Sequence, residues 1–573
     1  MSSTTQNTAT PAGEPGNGPP PRGPIPTPPE FPVAWEEAGD EQGFWTTDAL
    51  HFPTPLAPLT DSFIRALYLA SNAGFARLDL PLRMVARRIN TYHYLGIVPL
   101  PLPPEEVEAM GRRAQEKIGA LMGQLLERWQ NDWLPAIERE LAAWERFDLA
   151  AADAASFRAH VAETMARYER LFAIHFEIVA PMLMAMSSFT DLYRDLFGGD
   201  DAFDALRLVQ GFENETLRAN RAGWVLGRSA AASSTVRHLL EATPSPDVVA
   251  ALGQSDAGRS FLAALRGYLA EFGRRGSDFI DLDRPSWLED PTPVIDVIKG
   301  YLTGPGADPE EERARLAASR EAHLAATRAR LQGYPRQAVE QFEFALKAAQ
   351  EATILSEDHG YYIDWMGLYE VRRVMLEAGR RLALAGAIAS PDDVFMLYFD
   401  ELLAALDDPA GNWAANIPAR RAEIAHFRQI APPPAIGTMP PGAPPDDPVN
   451  RAMIRFFGGP PPASDTPGVI RGNAGSPGIV TGRAVVARSL GAAGRLRQGD
   501  ILVAETTAPP WTPLFAVAAA VVTDTGGVLC HSAVVAREYG IPAVVGTGMA
   551  TKVIPDGALI EVDGRAGTIR LLE

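Results

Sequence analysis

The chain of 573 residues carries a formal net charge of −19 and has a pI near 5.0. This length allows two to four domains with sizeable cores. The negative charge, which no basic cluster opposes, argues against nucleic acid and anionic membranes as partners. The single cysteine, Cys530, excludes disulfides within the chain and is typical of a reducing compartment. We therefore expect a cytoplasmic protein with a small-molecule ligand.

The first 30 residues are rich in Pro, Gly, Ser and Thr and lack the apolar and positively charged regions of a signal peptide. They predict a disordered tail over residues 1–30. The aromatic and proline-rich segment that follows contains Trp45 and His51 and predicts an extended strap across a larger body. Both side chains are candidates for lining a substrate pocket, with simple anchoring of the strap as the alternative for Trp45.

Residues 31–430 predict a large all-α domain. Apolar residues recur at spacings of three and four in the stretches 105–141, 156–187, 308–351 and 369–386, as they do in amphipathic helices. Clusters of Pro and Gly separate these stretches. The longest apolar run, 178–186, is interrupted by Pro181 and is too short to span a membrane.

Two polar stretches within this domain are candidate sites. In the first, Arg274 and Arg275 precede a row of carboxylates, which predicts either a phosphate site or an ordinary ion-pair network. In the second, His359 follows Asp358 and precedes Asp364, so either His359 or Asp364 is a candidate base for removing a hydroxyl proton. The alternative for this stretch is a helix with a solvated charged face.

The remaining histidines lack metal-ligand spacing, so the sequence predicts no metal site. His175 lies in an apolar run and is expected to be a core residue whose ring is hydrogen-bonded.

Residues 431–465 are rich in proline and predict a linker. As polyproline II at roughly 3.1 Å per residue, its first part, 431–449, would span about 60 Å. That reach would allow the following module to swing between distant sites, and a passive spacer is the alternative.

Residues 466–573 predict a compact α/β module. Strand signals occur at 479–487, 500–504, 518–523, 543–546, 559–562 and 568–571. After the third strand, Gly526 and Gly527 predict a sharp turn, and His531 and Ser532 predict the start of a helix.

An imidazole at a helix start is suited to carrying phosphate. Unpaired backbone N–H groups and the positive end of the helix dipole favour a phosphoryl group on the ring. A neutral imidazole also attacks phosphorus without prior deprotonation. A capping or core histidine is the alternative for His531 when the residue types alone are considered.

The block 523–546 resembles the phosphohistidine motif of the swivelling domain in phosphoenolpyruvate-utilising enzymes, the family of pyruvate phosphate dikinase and rifampin phosphotransferase. The two glycines, His531, the small pair that follows it and the later Gly-Ile-Pro-Ala run fall in register. Leu529 stands where dikinases usually carry Thr, which favours the rifampin-phosphotransferase and phenylphosphate-synthase-like branch. The resemblance implies a β/β/α swivelling domain with a phosphohistidine at His531 and phosphate contacts at Gly526, Gly527 and Ser532.

A weaker resemblance to the same branch extends over 31–427. It implies that this part is the acceptor-substrate domain, with His51 and Arg275 in the site and His359 as the first candidate base. Arg275 and Arg372 are the candidate clamps for the transferring phosphoryl group.

The resemblance also implies a donor. The chain shows neither an ATP-grasp segment nor a phosphoenolpyruvate barrel, so ATP and Mg²⁺ are expected on a separate ATP-grasp protein. The predicted activity is phosphorylation of a hydroxyl group on a small molecule, aromatic or polyketide-like. A phosphorylation-coupled elimination and a non-catalytic binding or regulatory role are the alternatives, and self-association is left open.

Overall fold

The protein is described by a computed structural model that covers residues 23–572 apart from 200–202, 277–280, 304–307, 441–445, 460, 462–463, 465, 467 and 508–510. The predicted multidomain arrangement is present in its coarse form: a mostly helical N-terminal body precedes a C-terminal α/β module.

The body is built around one long helix, α5. Its residues Phe157, Val161, Thr164, Tyr168 and Leu171 recur every three or four positions and are all buried. The helix begins after Asp153, whose side chain accepts the Ser156 N–H. The helices of the body are α1 (Pro58–Arg77), α2 (Pro104–Met122), α3 (Leu125–Arg128), α4 (Leu134–Glu145), α5 (Ala154–Phe197), α6 (Glu215–Ala232), α7 (Ser234–Ala242), α8 (Val248–Leu252), α9 (Asp256–Phe272), α10 (Thr292–Thr303), α11 (Pro309–Arg330), α12 (Arg336–His359), α13 (Leu368–Leu384), α14 (Phe399–Asp407) and α15 (Ile417–Phe427).

Two π-helical segments interrupt these helices, at Trp129–Trp133 and at Gly360–Gly367. The second joins α12 to α13 without a break in the helical backbone. Segments of this kind often mark functional sites.

α5 is long and apolar enough to cross a membrane by length and composition, but 56% of its most apolar window is buried inside the protein. α1, α12 and α16 (Pro448–Phe457) all pack against it. α5 is therefore the core helix of the N-terminal body.

The body also contains an antiparallel sheet, so the prediction of an all-α domain is wrong. Its strands are β1 (Gly23–Pro24), β2 (Phe44–Thr47), β3 (Leu82–Ile89), β4 (Tyr92–Pro99) and β5 (Ala435–Met439), in the order β1-β5-β2-β4-β3. β3 and β4 form a hairpin about Asn90 and Thr91, which both have positive φ. Arginines break the apolar alternation of β3. One of them, Arg87, is buried because Asp40 pairs with it at 2.8 Å, and only the folded chain brings that partner close.

The predicted tail and linker boundaries are also corrected. Gly23 and Pro24, which lie inside the predicted tail, pair with β5, and residues 1–22 lie outside the described chain. The predicted linker contributes β5 to the sheet and then α16, which packs against α5. The predicted polyproline arm over 431–449 is therefore wrong where β5 and the start of α16 lie, α16 also occupies part of the predicted linker 431–465, and 441–445 lie outside the described residues. Prolines are compatible with both elements because one precedes β5 and another occupies the first turn of α16.

The C-terminal module confirms the predicted α/β composition. Its strands are β6 (Val469–Arg471), β7 (Asn473–Ser476), β8 (Ile479–Ala487), β9 (Ile501–Ala504), β10 (Ala520–Thr523), β11 (Ala543–Val545), β12 (Leu559–Asp563) and β13 (Thr568–Leu571), in the order β6-β13-β12-β8-β9-β10-β11-β7. β8, β9, β10 and β11 run parallel, and the flanking pairs are antiparallel. Its helices are α17 (Leu490–Ala493), α18 (Thr512–Phe515), α19 (His531–Glu538) and α20 (Ala550–Val553).

α16 fastens the glycine turn of the module to the body. Asp191 on α5 forms salt bridges with Arg451, at 3.0 Å, and with Arg455, at 2.6 Å. The carbonyl groups at the end of α16 then accept the N–H groups of Gly527 at 2.9 Å and Leu529 at 2.7 Å. A Cβ on Gly527 would lie 2.3 Å from the Arg455 carbonyl oxygen, so only glycine permits this approach.

We expect Gly527→Ala to destabilise the full chain by about 1–3 kcal/mol, because the methyl group forces α16 away from the turn. Calorimetric unfolding should show a lowered transition temperature. Gly491→Ala is the matched control, since a Cβ at that exposed position in α17 meets nothing within 4 Å. An unchanged transition in Gly527→Ala would contradict this account of the turn.

Candidate active site

His531 is the first residue of α19, as the sequence predicts, and it follows the buried strand β10 through a short turn. Gly526 has φ 97°, and a Cβ there would lie 2.6 Å from the Cys530 sulfur. The Ser532 hydroxyl is buried and 2.7 Å from the Thr507 hydroxyl. That pair holds the start of α19 against the strand layer, so the Ser532 side chain is engaged within the module.

The ring of His531 lies against the helical body. Its Nδ1 is 3.2 Å from Oε1 of Glu357, at the end of α12, and its Nε2 is 3.1 Å from the Thr512 hydroxyl. The other Glu357 oxygen accepts the Thr216 hydroxyl at 2.8 Å. The carboxylate therefore joins α6, α12 and the module at one point.

Glu357 decides which ring nitrogen of His531 is free. Burial by itself would raise the pKa of Glu357, but the His531 ring and the Thr216 hydroxyl hold that pKa below its usual value. An ionised carboxylate only accepts hydrogen bonds, so Nδ1 carries the hydrogen. In the neutral form of the ring, Nε2 is then the nitrogen with the lone pair, and it faces the Thr512 hydroxyl.

Arg275 lies beside this contact, fully enclosed. It is 3% exposed, its Nη2 donates to the Glu215 carbonyl at 3.2 Å, and its guanidinium lies 4.8 Å from the ring centroid of Tyr361. Burial lowers the pKa of the Arg275 guanidinium. Its Nε is buried without a hydrogen-bond partner among the described residues. A buried guanidinium with a spare donor suits an oxyanion.

His359 and Asp364 lie on the far side of Glu357 and meet His175 of α5. The His359 and His175 ring centroids are 4.8 Å apart, and His175 Nδ1 is 3.2 Å from Asp364 Oδ1. Burial lowers the pKa of His359 to about 4, so its ring is neutral near pH 7. The expectation that His175 is a hydrogen-bonded core residue is wrong, because its Nδ1 has no hydrogen-bond partner in the described part of the chain.

Asp358 does not orient the His359 ring. Its carboxylate accepts the Glu215 N–H at 2.8 Å, at the start of α6, while the His359 Nδ1 hydrogen goes to the Leu355 carbonyl. Burial raises the pKa of Asp358 to about 7.

Two other predicted residues have structural partners. Arg372 gives its donors to Glu289, at 2.9 and 3.0 Å, and to the Leu282 carbonyl, and this ties the carboxylate-rich loop to α13. Trp45 is 4% exposed and donates to the Asp40 carbonyl at 2.7 Å. We therefore do not propose Arg372 as a phosphoryl clamp. The contacts of Trp45 are those of a side chain that anchors its segment.

His51 is half-buried and forms a close pair with Asp48, with 2.7 Å between Nδ1 and Oδ2. Burial acts to lower the pKa of His51, but the Asp48 charge and hydrogen bond raise it above the ordinary value. The charge of Asp364 acts in the same direction, which sets His51 on the side of the body that holds the His359 cluster.

Sequence reasoning missed Glu357, Thr216 and Thr512. The sequence assigned no role to them, because they lie 174, 315 and 19 residues from His531 in the chain and come together only on folding. A carboxylate two residues before a candidate histidine was the one available signal for Glu357.

The module is also docked through the end of α19. Both Glu538 oxygens accept the N–H of Gly211 in the body, at 3.1 and 3.2 Å. Burial raises the pKa of Glu538 from 4.5 to about 7.

Comparison with known families agrees with this geometry. Residues 496–567 match the mobile domain of PEP-utilising enzymes, and residues 175–357 match the fourth domain of rifampicin phosphotransferase. Over these two segments the chain is thus similar to rifampicin phosphotransferase and to the PEP-utiliser mobile domain, and the resemblance of the His531 motif is confirmed.

Three relatives give the extent of the similarity. The chain is 40% identical over 561 residues to chondramide synthase of Chondromyces crocatus, which covers 96% of this chain and 14% of that protein. It is 30% identical over 408 residues to the uncharacterised phosphotransferase YvkC of Bacillus subtilis, covering 71% and 48%. It is 31% identical over 327 residues to rifampicin phosphotransferase of Bacillus subtilis, covering 56% and 36%. The chain spans less than half the length of each of these proteins.

We expect docking of the module to weaken about tenfold between about pH 6 and pH 8. The docked Glu538 carboxyl binds its proton more tightly than an undocked one, so its contribution is complete below the ordinary pKa and is lost as the pH rises through about 7. Fluorescence transfer between dyes on the body and on the module measures the docked fraction. Glu538→Gln should remove this dependence and Glu340→Gln, at an exposed position on α12, should keep it. A dependence that persists in Glu538→Gln would contradict the assignment.

Proposed function

We propose that this chain receives a phosphoryl group on His531 and delivers it to a hydroxyl group of a small molecule bound in the helical body. The observation that carries the proposal is the contact between His531 and Glu357, which seats the module with its predicted phosphohistidine against the body. The match of both parts to phosphotransferase relatives supports the same reading.

The chemistry divides into two displacements. In the first, Nε2 of His531 attacks the donor phosphorus, a P–N bond forms, and the bond to the donor oxygen breaks. In the second, the acceptor oxygen attacks the same phosphorus, and the P–N bond breaks with its electron pair returning to Nε2. The acceptor proton leaves to the polar cluster formed by His175, His359 and Asp364.

Glu357 and Arg275 have distinct tasks in the second displacement. Glu357 holds the Nδ1 hydrogen, so the departing ring leaves as a neutral imidazole in the correct tautomer. Arg275, with its unpaired Nε, neutralises the negative charge on the transferring phosphoryl oxygens. Of the two predicted clamps, Arg275 is the one that keeps a donor, Nε, without a partner among the described residues.

The donor is proposed to be ATP with Mg²⁺, bound to an ATP-grasp protein. The sequence holds no Gly-x-x-x-x-Gly-Lys-Ser/Thr loop of its own. Phosphorylation of His531 then requires the module to leave Glu357.

The acceptor is proposed to be aromatic or polyketide-like. The rings of Phe172 and Phe176 flank His175 with centroids 5.4 and 5.0 Å away, which provides an apolar wall beside the polar cluster. The relative of highest identity among the three is named for chondramide synthesis, which favours an acceptor from secondary metabolism. The protein acts in the cytoplasm in this scheme, without nucleic acid or membrane.

The test combines the purified chain with a cognate ATP-grasp protein and ATP labelled at the β-phosphate. We expect an acid-labile, alkali-stable label on the wild type and none on His531→Ala, with His238→Ala, at an exposed position on α7, as the control. Equal labelling of wild type and His531→Ala would remove His531 as the carrier. A dehydrated product free of phosphate, seen by mass, would identify phosphorylation-coupled elimination.

Glu357→Gln should separate the two displacements. We expect labelling of His531 to continue and delivery to the acceptor to slow by about 10²-fold or more, because the ring loses the group that fixes its tautomer. Single-turnover rates for each step give the measurement, with Glu340→Gln as the matched control on the same helix. Equal losses in both steps would show that Glu357 acts on the stability of the module instead of on transfer.

A further inference from the structure

The π-helical segment changes which side chains share a face. Along an α-helix, residues five apart lie about 140° apart around the axis, so His359 and Asp364 would point to different sides. The segment Gly360–Gly367 instead closes its turns between residues five apart. This brings Asp364 under His359, and both meet His175 from α5.

These three side chains present a compact set of donor atoms. One ligand atom from each, an imidazole nitrogen or a carboxylate oxygen, lies within 4.8 Å of the other two. His175 Nδ1 and Asp364 Oδ1 are 3.2 Å apart. Donors bound at about 2.0–2.2 Å to one ion lie about 3 Å or slightly more from each other. Small side-chain rotations would bring the third donor to that distance.

Two of the donors lack the partners that buried polar atoms ordinarily have. Although 3.2 Å separates them, His175 Nδ1 and Asp364 Oδ1 do not have hydrogen-bond geometry, and both are buried without such a partner among the described residues. Asp364 is 2% exposed. Leaving these atoms unpaired is costly, and a cation between them would satisfy both.

The third donor is already oriented as a ligand. His359 gives its Nδ1 hydrogen to the Leu355 carbonyl, one turn earlier on α12. This fixes the tautomer and leaves Nε2 with its lone pair. Metal-binding histidines are commonly held in this way, by donation of the other ring N–H to a backbone carbonyl.

We propose that His175, His359 and Asp364 bind a divalent first-row transition ion, with Zn²⁺ as the reference case. Two imidazoles and one carboxylate suit such ions and disfavour Mg²⁺ and Ca²⁺, which prefer oxygen ligands. Three protein ligands leave a coordination position open, as in catalytic sites.

The open coordination position would have a role in transfer, and this role rests on the proposed function. His359, one of the three ligands, lies two residues after Glu357, the residue that contacts His531, at the end of α12. With the ion bound, the donor atoms of the cluster would be ligands instead of bases: an acceptor hydroxyl on the open position would have a lowered pKa and would give its proton to water, and its oxygen would attack the phosphorus on Nε2 as the P–N bond breaks. The cluster would thus act on the acceptor through the ion.

Metal binding is tested on the full chain without a histidine tag and without donor or acceptor. After stripping with a chelator and dialysis against micromolar Zn²⁺, elemental analysis should find about one ion per chain, and excess Mg²⁺ should not displace it. Co²⁺ should give visible bands of a low-coordinate nitrogen and oxygen site. Less than about a tenth of an ion per chain would overturn the proposal.

Asp364→Asn and His175→Gln, which nearly keep the side-chain volumes, should each lower the bound ion at least about tenfold. The exposed His238→Ala should retain about one ion. Thermal unfolding checks that each variant is folded, and a collapse of one still leaves the other as the test. Zinc bound equally by wild type and both variants would mean adventitious binding only and would overturn the assignment. Because no transfer is measured, failure here is distinct from failure of the His531 scheme.

Discussion

The contact between His531 and Glu357 is the constraint on which the rest of the site depends. It joins the first residue of a short helix in the C-terminal module to the last turn of α12 in the body. Glu357 reaches this position because Thr216 holds its other oxygen, and α6 is in turn capped by Asp358. One ionised carboxylate therefore sets the tautomer of the ring and the place where the module sits.

The proposed transfer requires the module to be held firmly at each of two sites and still be released. Separate contacts of different kinds hold the module against the body. The end of α16 accepts N–H groups of the glycine turn, Glu357 contacts the His531 ring, and Glu538 at the end of α19 accepts the Gly211 N–H. Each of these contacts is small, and two of the three rest on a buried carboxyl group. Such contacts are specific while intact and cost little net free energy to exchange for water and a new partner.

The body shows how a helical scaffold builds a polar site in its interior. α5 is apolar along the face that packs against α1 and α12. His175 interrupts that face and meets Asp364 of the π-helical segment that follows α12. A uniform α-helix would have directed Asp364 away from His359. The irregular backbone is thus the local feature that brings the three side chains together. The packing around this segment stabilises it.

The sequence by itself determined the local elements of the C-terminal module. Six of its eight described strands, the turn at Gly526 and Gly527 and the helix starting at His531 follow from short-range signals, namely apolar runs and glycine freedom, whereas β6 and β7 were not predicted. The same kind of signal also identified the long helices of the body, because their apolar spacing is regular over many turns.

Only the tertiary structure decided what those elements meet. The antiparallel sheet of the body was not predicted because its strands come from both ends of a long segment and one carries a buried arginine. α16 looked like part of a free arm because its partner, Asp191, lies about 260 residues away. Glu357, Thr216 and His175 have no local signature, since a site built from groups distant in the chain leaves no spacing to read until the chain has folded.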